Sequence, residues 1–238
     1  MSRCLTTTLP KQSRIFTGAS AGGLGGFLHF DYIRDRYPNA RVTGVTIAGF
    51  YFYASYYDGP NATTAELADF TESGIAYSYK LYDSFVDNTC KEAMLASGKS
   101  PSGCMIANIS IDYVETDIFA IQSQSDKVVL EYHDNFPGDY KMEPPEQEWM
   151  SEWSANMSFA LELSLSQPLT LTSPRKSGFF AAACYIHTEF GVSSPKILGL
   201  NFQQAFAIFY GSNFTADPET YHLADDCNGG TLCGHCPQ

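Results

Sequence analysis

The sequence predicts an α/β protein built on a mostly parallel sheet flanked by helices. Three observations lead there. Residues 13–17, with Ile15 and Phe16 as an apolar pair, read as a short strand that runs into a Gly-rich turn over 18–26. Leu24, Phe27, Leu28 and Tyr32 then recur at three- and four-residue spacing, which marks a helix face, and Pro38 stops that helix. Residues 41–50, with Val42, Val45 and Ile47, read as a buried strand. Strand, tight turn, helix, strand is a βαβ unit, whose two strands lie parallel.

The rest of the chain fits the same class. Residues 65–85 carry Leu67, Phe70, Ile75 and Leu81 on one helical face. Residues 99–103 read as a loop, and 105–111 suit a helix or a strand equally well. Residues 117–122, with Ile118, Phe119 and Ile121, read as a strand, followed by the apolar stretch 125–132. Residues 136–148 are acidic and rich in Pro and Gly, so they read as a surface loop in which Glu143 and Glu146 are solvated. Pro144-Pro145 leads into a helix with Trp149, Met150, Trp153 and Met157 on one side. Residues 178–186 read as another buried strand. Residues 201–210 read as a last helix, with Phe202, Ala205, Phe206 and Phe209 inward. No repeat or low-complexity tract interrupts this pattern, so one domain over 1–238, with a Cys-rich tail at 222–238, is the simplest division.

Composition narrows the function. Apolar residues make up 44% of the chain, enough for a sizeable core. The net charge of −12 repels phosphate backbones. No basic cluster exceeds Arg175-Lys176, so neither nucleic acid nor an anionic membrane is an expected partner. No apolar run reaches the roughly 18 residues of a membrane span. Seven cysteines and four Asn-X-Ser/Thr sequons, at Asn61, Asn108, Asn156 and Asn213, favour an oxidising secretory route with disulfides and glycans. No signal peptide is visible near Met1. That absence and the odd cysteine count are both explained if an upstream portion is missing.

The chemistry centres on Gly18-Ala19-Ser20-Ala21-Gly22. Gly-X-Ser-X-Gly between a strand and a helix is a nucleophile elbow of the α/β-hydrolase type. The turn is too tight for large flanking side chains, and the serine hydroxyl stands exposed at the helix N-terminus. The Ala21 amide, next after the serine, is the expected oxyanion donor. A plain Gly/Ser-rich turn is the bland alternative. A dinucleotide loop is weaker, because Gly23–Gly26 lacks the Gly-X-Gly-X-X-Gly spacing and 47–50 supplies no acidic residue.

A serine nucleophile needs a base and an orienting acid, in the chain order Ser, acid, His. His29 lies on the helix behind the elbow, and His222 and His235 lie in the polar tail. His133 follows too soon after any acid in 112–126. His187, at the end of the apolar strand, is best placed as base. Asp112, Asp117 and Asp126 all precede it, and position does not choose among them.

These residues resemble the pectin acetylesterase/Notum family. The resemblance rests on Gly18-Ala19-Ser20-Ala21-Gly22-Gly23-Leu24-Gly25 with His29-Phe30-Asp31-Tyr32-Ile33. It continues in Gln122-Ser123-Gln124-Ser125-Asp126-Lys127-Val128-Val129-Leu130, in Phe180-Ala181-Ala182-Ala183-Cys184-Tyr185-Ile186-His187, and in Ile197-Leu198-Gly199-Leu200 with the helix to Tyr210. It spans about 14–210 and implies Ser20 as nucleophile, His187 as general base and acid, and Asp126 as orienter. No metal or cofactor is implied. Two segments differ. The family's Gly-Gly-Gly-Trp segment, which completes the oxyanion hole, would precede the elbow by more residues than this chain has, so the N-terminal strands are expected to be absent too. The loss of one oxyanion donor costs roughly 3–4 kcal/mol of barrier. Where the family has Asp-Ser-Gly-Phe-Phe, this chain has Ile47-Ala48-Gly49-Phe50-Tyr51.

The expectation is therefore a secreted serine carboxylic-ester hydrolase that deacetylates a polysaccharide such as pectin. Notum-like removal of a lipid acyl group is a variant of the same chemistry. The competing class is a catalytically impaired homologue acting as a secreted binding protein. The aromatic run Phe50, Tyr51, Phe52 and Tyr53 suits an acyl or sugar pocket and a buried strand end alike, with Phe50 and Tyr51 as the pocket candidates. Cys233-Gly234-His235-Cys236 has the sequence of a disulfide-isomerase site but no helix can follow it. Zinc ligation by Cys227, Cys233, His235 and Cys236 fits the spacing, while structural disulfides suit the secretory signs better.

Overall fold

In the computed structural model, which describes residues 12–64, 70–138, 142–166, 175–211 and 217–226, five strands stand side by side in chain order. They are β1 (Gln12–Ala19), β2 (Ala40–Ile47), β3 (Asp117–Ser123), β4 (Ser177–Ala182) and β5 (His222–Ala224). Every neighbouring pair is parallel, so every connection crosses over. The crossovers contain helices, as parallel strands require. Helix α1 (Ala21–Arg36) joins β1 to β2. Helices α2 (Glu72–Tyr82), α3 (Asn88–Ala96) and α4 (Ala107–Ser110) lie between β2 and β3. Helices α5 (Lys127–Tyr132) and α6 (Pro144–Ser166) lie between β3 and β4, and α7 (Phe190–Ser193) and α8 (Phe202–Gly211) between β4 and β5. This is the α/β architecture expected from the sequence.

Strand alternation divides the core between the two faces of the sheet. Ile118, Ala120, Phe179 and Ala181 point to one face, where they join Phe27 and Phe30 of α1 and Trp153, Met157 and Leu161 of α6. Phe119, Ile121, Phe180 and Ala182 point to the other, against Ala205 and Phe209 of α8. Both faces are covered, which explains why β3 and β4 read as continuous apolar runs. β1 is different. It pairs only with β2 among the described residues, most of it is exposed, and Ile15 is 47% exposed.

Several boundaries differ from the sequence reading. α2 starts at Glu72 because Thr71 caps it, its Oγ1 accepting from the Gly74 N–H at 3.2 Å, and it ends where Asp83 turns left-handed at φ 47°. Residues 65–69 of the expected helix lie outside the described residues. The loop at 99–103 is instead part of a 3₁₀ turn over Pro101–Met105, and 105–111 resolves as a turn and α4. Cys104 of that turn is joined to Cys90 of α3, and a crosslink of that span is worth about 3 kcal/mol in the chain-entropy account.

Glu146 corrects another expectation. It is buried at 2% exposure rather than solvated, because α6 begins at Pro144, inside the expected loop. Its carboxylate accepts from the Glu143 N–H at 2.7 Å and from Asn61 Nδ2 at 3.1 Å. Reaching back across three residues, it satisfies one of the helix's free amides in the manner of a capping box. β5 falls within the expected tail, where its three residues pair with β4 from Phe179↔His222 onward. The expected zinc or disulfide residues Cys227, Cys233, His235 and Cys236 lie outside the described residues, as do Cys4 and Asn213. No helix among the described residues is long and apolar enough to cross a membrane.

Candidate active site

β1 ends at Ala19 and α1 starts at Ala21, so Ser20 alone makes the turn. Its backbone sits at φ 54°, ψ −127°, a conformation that costs an L-residue of order 1–3 kcal/mol. Hydrogen bonds hold it there. The Ser20 N–H donates to Ile47 O at 2.8 Å, and Ser20 O accepts from the N–H groups of Gly23 at 2.8 Å and Leu24 at 3.0 Å. The glycines are steric necessities. A Cβ on Gly18 would lie 2.2 Å from Gly22 O, and one on Gly49 would lie 2.5 Å from the Gly23 carbonyl carbon. The chain leaving β2 thus runs backbone to backbone against the first turn of α1. Gly49→Ala is expected to destabilise the protein by about 1–3 kcal/mol, the usual cost of overpacking. A lowered urea midpoint at unchanged m-value would show it, and an unchanged midpoint would refute the contact.

With its backbone fixed, Ser20 directs its side chain at His187, with Oγ 2.7 Å from Nε2. The other ring nitrogen, Nδ1, lies 2.8 and 2.9 Å from the two carboxylate oxygens of Asp126. With Nδ1–H donating to that carboxylate, Nε2 is the acceptor for the Ser20 hydroxyl. Asp126 is completely buried. It caps α5, Oδ1 accepting from the N–H groups of Val128 at 3.1 Å and Val129 at 3.3 Å, while Oδ2 accepts from Gln122 Nε2 at 3.0 Å. A buried carboxylate is tolerated because its lone pairs are used.

The strand order makes this meeting possible. Ser20, Asp126 and His187 follow the carboxyl ends of β1, β3 and β4, the rim where open parallel sheets carry their sites. The other candidates are elsewhere. Asp117 opens β3 at the opposite rim, where its Oδ1 accepts from the Lys176 N–H at 3.0 Å. Asp112 lies in the turn before β3, in the field of the buried Arg175. His29 Nδ1 lies 2.8 Å from Gly25 O in its own helix, and its ring stacks on Phe85. His133 stacks on Phe70 with centroids 4.0 Å apart. His222 lies 2.6 Å from Ser177 O, and burial lowers its pKa. His235 lies outside the described residues.

The roles of Gln122 and Glu189 escape sequence reasoning, which singles out Tyr51 only as a pocket candidate. Gln122 is buried in β3, and besides holding Asp126 it accepts from the Phe50 N–H through Oε1 at 3.0 Å. A polar residue in an otherwise apolar strand is its only signal in the sequence. Glu189 fixes the histidine backbone by accepting from the His187 N–H at 2.8 Å, and it pairs with Lys127 at 2.6 Å. Burial pushes this carboxyl up, but the hydrogen bonds from Lys127 and His187 outweigh it and bring the pKa to about 2. The Tyr51 hydroxyl lies near enough to the Ser20 side chain to be influenced by it. Burial, then the charge of Asp126, raises the phenol well above its ordinary pKa, against the opposing influence of Ser20. It therefore stays neutral and able to donate.

The pocket candidates need a correction. Phe50 has no exposed surface and packs edge-on against Phe27, and Tyr51 is 4% exposed and stacked on Phe70. The next two aromatics, Phe52 and Tyr53, are the ones that line a cavity, of about 530 Å³. The chain leaving β2 turns inward first, because Gly49 lies hard against α1. The Ala21 amide, first in α1, has no acceptor among the described residues and stands at the positive end of a 16-residue helix. The whole arrangement can remove a proton from Ser20, hold the imidazolium that results and place an N–H donor beside the new charge.

Comparisons with known proteins give the family and the fold. A family model described as Pectinacetylesterase matches residues 5–227. No curated protein matches the chain. Among solved structures, two crystal forms of the Wnt deacylase Notum from Drosophila align with a TM-score of 0.72 at 20% identity. The alignments cover 97% of this chain but 60% and 61% of the Notum chains, so this chain spans about three-fifths of their length. At that identity the likeness is one of fold.

Proposed function

The chain belongs to the pectinacetylesterase family, and from that premise we propose that it hydrolyses carboxylic esters through a covalent acyl-enzyme on Ser20. One observation carries the reading, the unbroken chain of contacts from Ser20 Oγ through His187 to the buried Asp126. Ser20 Oγ attacks the ester carbonyl carbon while His187 Nε2 takes its proton. The carbonyl oxygen becomes an oxyanion and is held by the Ala21 N–H. His187 returns the proton to the departing alkoxide, and the alcohol leaves. Water then attacks the acyl-enzyme, again losing a proton to His187. The proton returns to Ser20 Oγ as the acid departs. Each step uses this chain's residues and water.

The first substrate class to test is the acetyl ester of a polysaccharide such as pectin. A lipid acyl ester is the second, favoured by the likeness in fold to a Wnt deacylase. We place the protein outside the cell. The Cys90–Cys104 disulfide and a further disulfide at Cys184 support an oxidising compartment, as do the sequons. A fluorophosphonate probe tests the chemistry. Wild-type protein is expected to gain one adduct that maps by mass spectrometry to the Ser20 peptide. An unlabelled Ser20 would sink the hydrolase reading and leave the binding-protein reading in its place.

A further inference from the structure

We propose that Asn156 is an N-glycosylation site and that the first sugars of its glycan lie in the cavity of about 530 Å³ that runs along α6. The proposal rests on the extracellular reading above and concerns the surface of the fold, not the chemistry at Ser20. Asn156-Met157-Ser158 is a sequon. The helix buries Met157 and turns Asn156 out to solvent. Trp149, Glu152, Asn156, Phe159 and Leu163 all line the cavity. Their spacing alternates between three and four residues, which stacks them on one helix face, and Asn156 is the middle one.

Two observations suit this face to an attached sugar. Phe159 and Leu163 are the exposed large apolar side chains of α6, at 65% and 52% exposure, and they follow Asn156 by three and seven residues. The farther one is about 10 Å along the helix axis, within reach of the first two sugars. In the opposite wall, Asn108 Oδ1 is buried with no hydrogen-bond partner among the described residues. N-acetylglucosamine, the sugar that carries the asparagine link, meets both needs. Its C–H face and acetamide methyl cover aromatic and aliphatic surface, and its hydroxyls and amide N–H donate to a carboxamide oxygen or to the Glu152 carboxylate. It is uncharged, so the acidic side chains of the wall do not repel it. The surface that receives it is held in place. The Trp153 indole N–H donates to Asp134 Oδ2 at 2.7 Å, and Trp149 stacks on Phe136.

The bond forms by exchange at one carbon. Asn156 Nδ2 attacks C1 of the reducing-end sugar of a lipid diphosphate-linked oligosaccharide and gives up one proton. The new N–C bond replaces the C–O bond, and the lipid diphosphate leaves. The donor belongs to the secretory route. Asn108 is a second sequon in the same wall, and the two have different parts. Asn108 is half-buried in α4, its N–H donates to Tyr51 O at 3.2 Å, and its carboxamide oxygen is enclosed. It receives a hydrogen bond from the sugar, while the exposed Asn156 anchors it.

The test sends the full chain into the secretory route of a eukaryotic host with a fused signal peptide. Glycopeptide mass spectrometry is expected to find the glycan on Asn156. Ser158→Ala keeps the asparagine, breaks the sequon and should lose that glycan. The chain's two tryptophans both line the cavity, so acrylamide quenching of their fluorescence reports whether sugar covers it. The glycosylated wild type is expected to resist the quencher and Ser158→Ala to lose that protection. Phe159→Ala, at an exposed position, keeps the sequon and removes one aromatic contact. Peptide-N-glycosidase F should then release the glycan from the folded protein about tenfold faster. A bare Asn156, or a glycan on Asn108 in its place, would overturn the proposal. So would a glycan on Asn156 with quenching the same in Ser158→Ala and release the same in Phe159→Ala, since that sugar would stand free in solvent. Immunolocalisation of the native protein reads the compartment separately. A cytosolic native protein overturns the extracellular reading and the glycan with it, whereas a secreted protein with a bare Asn156 overturns the glycan alone.

Discussion

Ser20→Ala is expected to lower kcat on p-nitrophenyl acetate by about a millionfold, the loss seen when a nucleophile that works as one unit with its base is removed. Only the oxygen disappears. His187 keeps its hydrogen bonds to Asp126, and its backbone stays tied to Glu189. The backbone bonds from Ser20 to Ile47, Gly23 and Leu24 are indifferent to the side chain, and alanine has no larger Cβ to place at φ 54°. The variant should therefore unfold at the wild-type temperature. What remains is the Ala21 amide and whatever binding the cleft provides. A variant within tenfold of wild type would show that Ser20, the hydroxyl that His187 Nε2 meets, is not the nucleophile.

The elbow was legible because steric demand writes itself into the sequence. At Gly18 a Cβ would run into the Gly22 carbonyl, which excludes every residue but glycine at that position, so there the pattern and the geometry are one fact. β2 and β3 were legible for a similar reason, since strands covered on both faces are largely apolar. β5 carried no such mark. It is three residues long and polar at His222, and it exists because β4 offers an edge. Glu146 misled for the opposite reason. Its own chemistry says surface, and only the helix start that it caps makes it internal.

The site was legible to a different depth. Chain order pointed to His187 and left three acids open, and only the family resemblance implied Asp126. The physical reason for that choice is visible in the fold. Asp117 opens β3 and Asp126 follows its end, so the strand itself separates them by the height of the sheet. The aromatic run 50–53 shows the limit of composition. Four similar residues divide between core and cavity according to where the chain turns after Gly49, and no property of the side chains records that turn.

Asp126→Asn tests the orienter, and the expected result is a fall in kcat of about ten thousandfold near neutral pH with the fold retained. The reasoning follows the hydrogen bonds. Oδ1 accepts from the N–H groups of Val128 and Val129, so the amide oxygen of an asparagine stays on that side and α5 keeps its cap. The amide NH₂ must then replace Oδ2, where Gln122 Nε2 already donates at 3.0 Å. Gln122 cannot simply flip, because its Oε1 is occupied by the Phe50 N–H. Two donors face each other, and the new NH₂ also faces His187 Nδ1, which lies 2.9 Å from that position and 2.8 Å from the retained oxygen, itself already accepting from two backbone amides. The ring relieves the conflict by moving its proton from Nδ1 to Nε2. Nε2–H then donates to Ser20 Oγ instead of accepting from it, and the base is lost while every side chain remains in place. Unlike Ser20→Ala, the variant keeps its nucleophile, so fluorophosphonate labelling should be slowed rather than abolished. A kcat within tenfold of wild type, with labelling at the wild-type rate, would show that His187 does not depend on Asp126 for its tautomer.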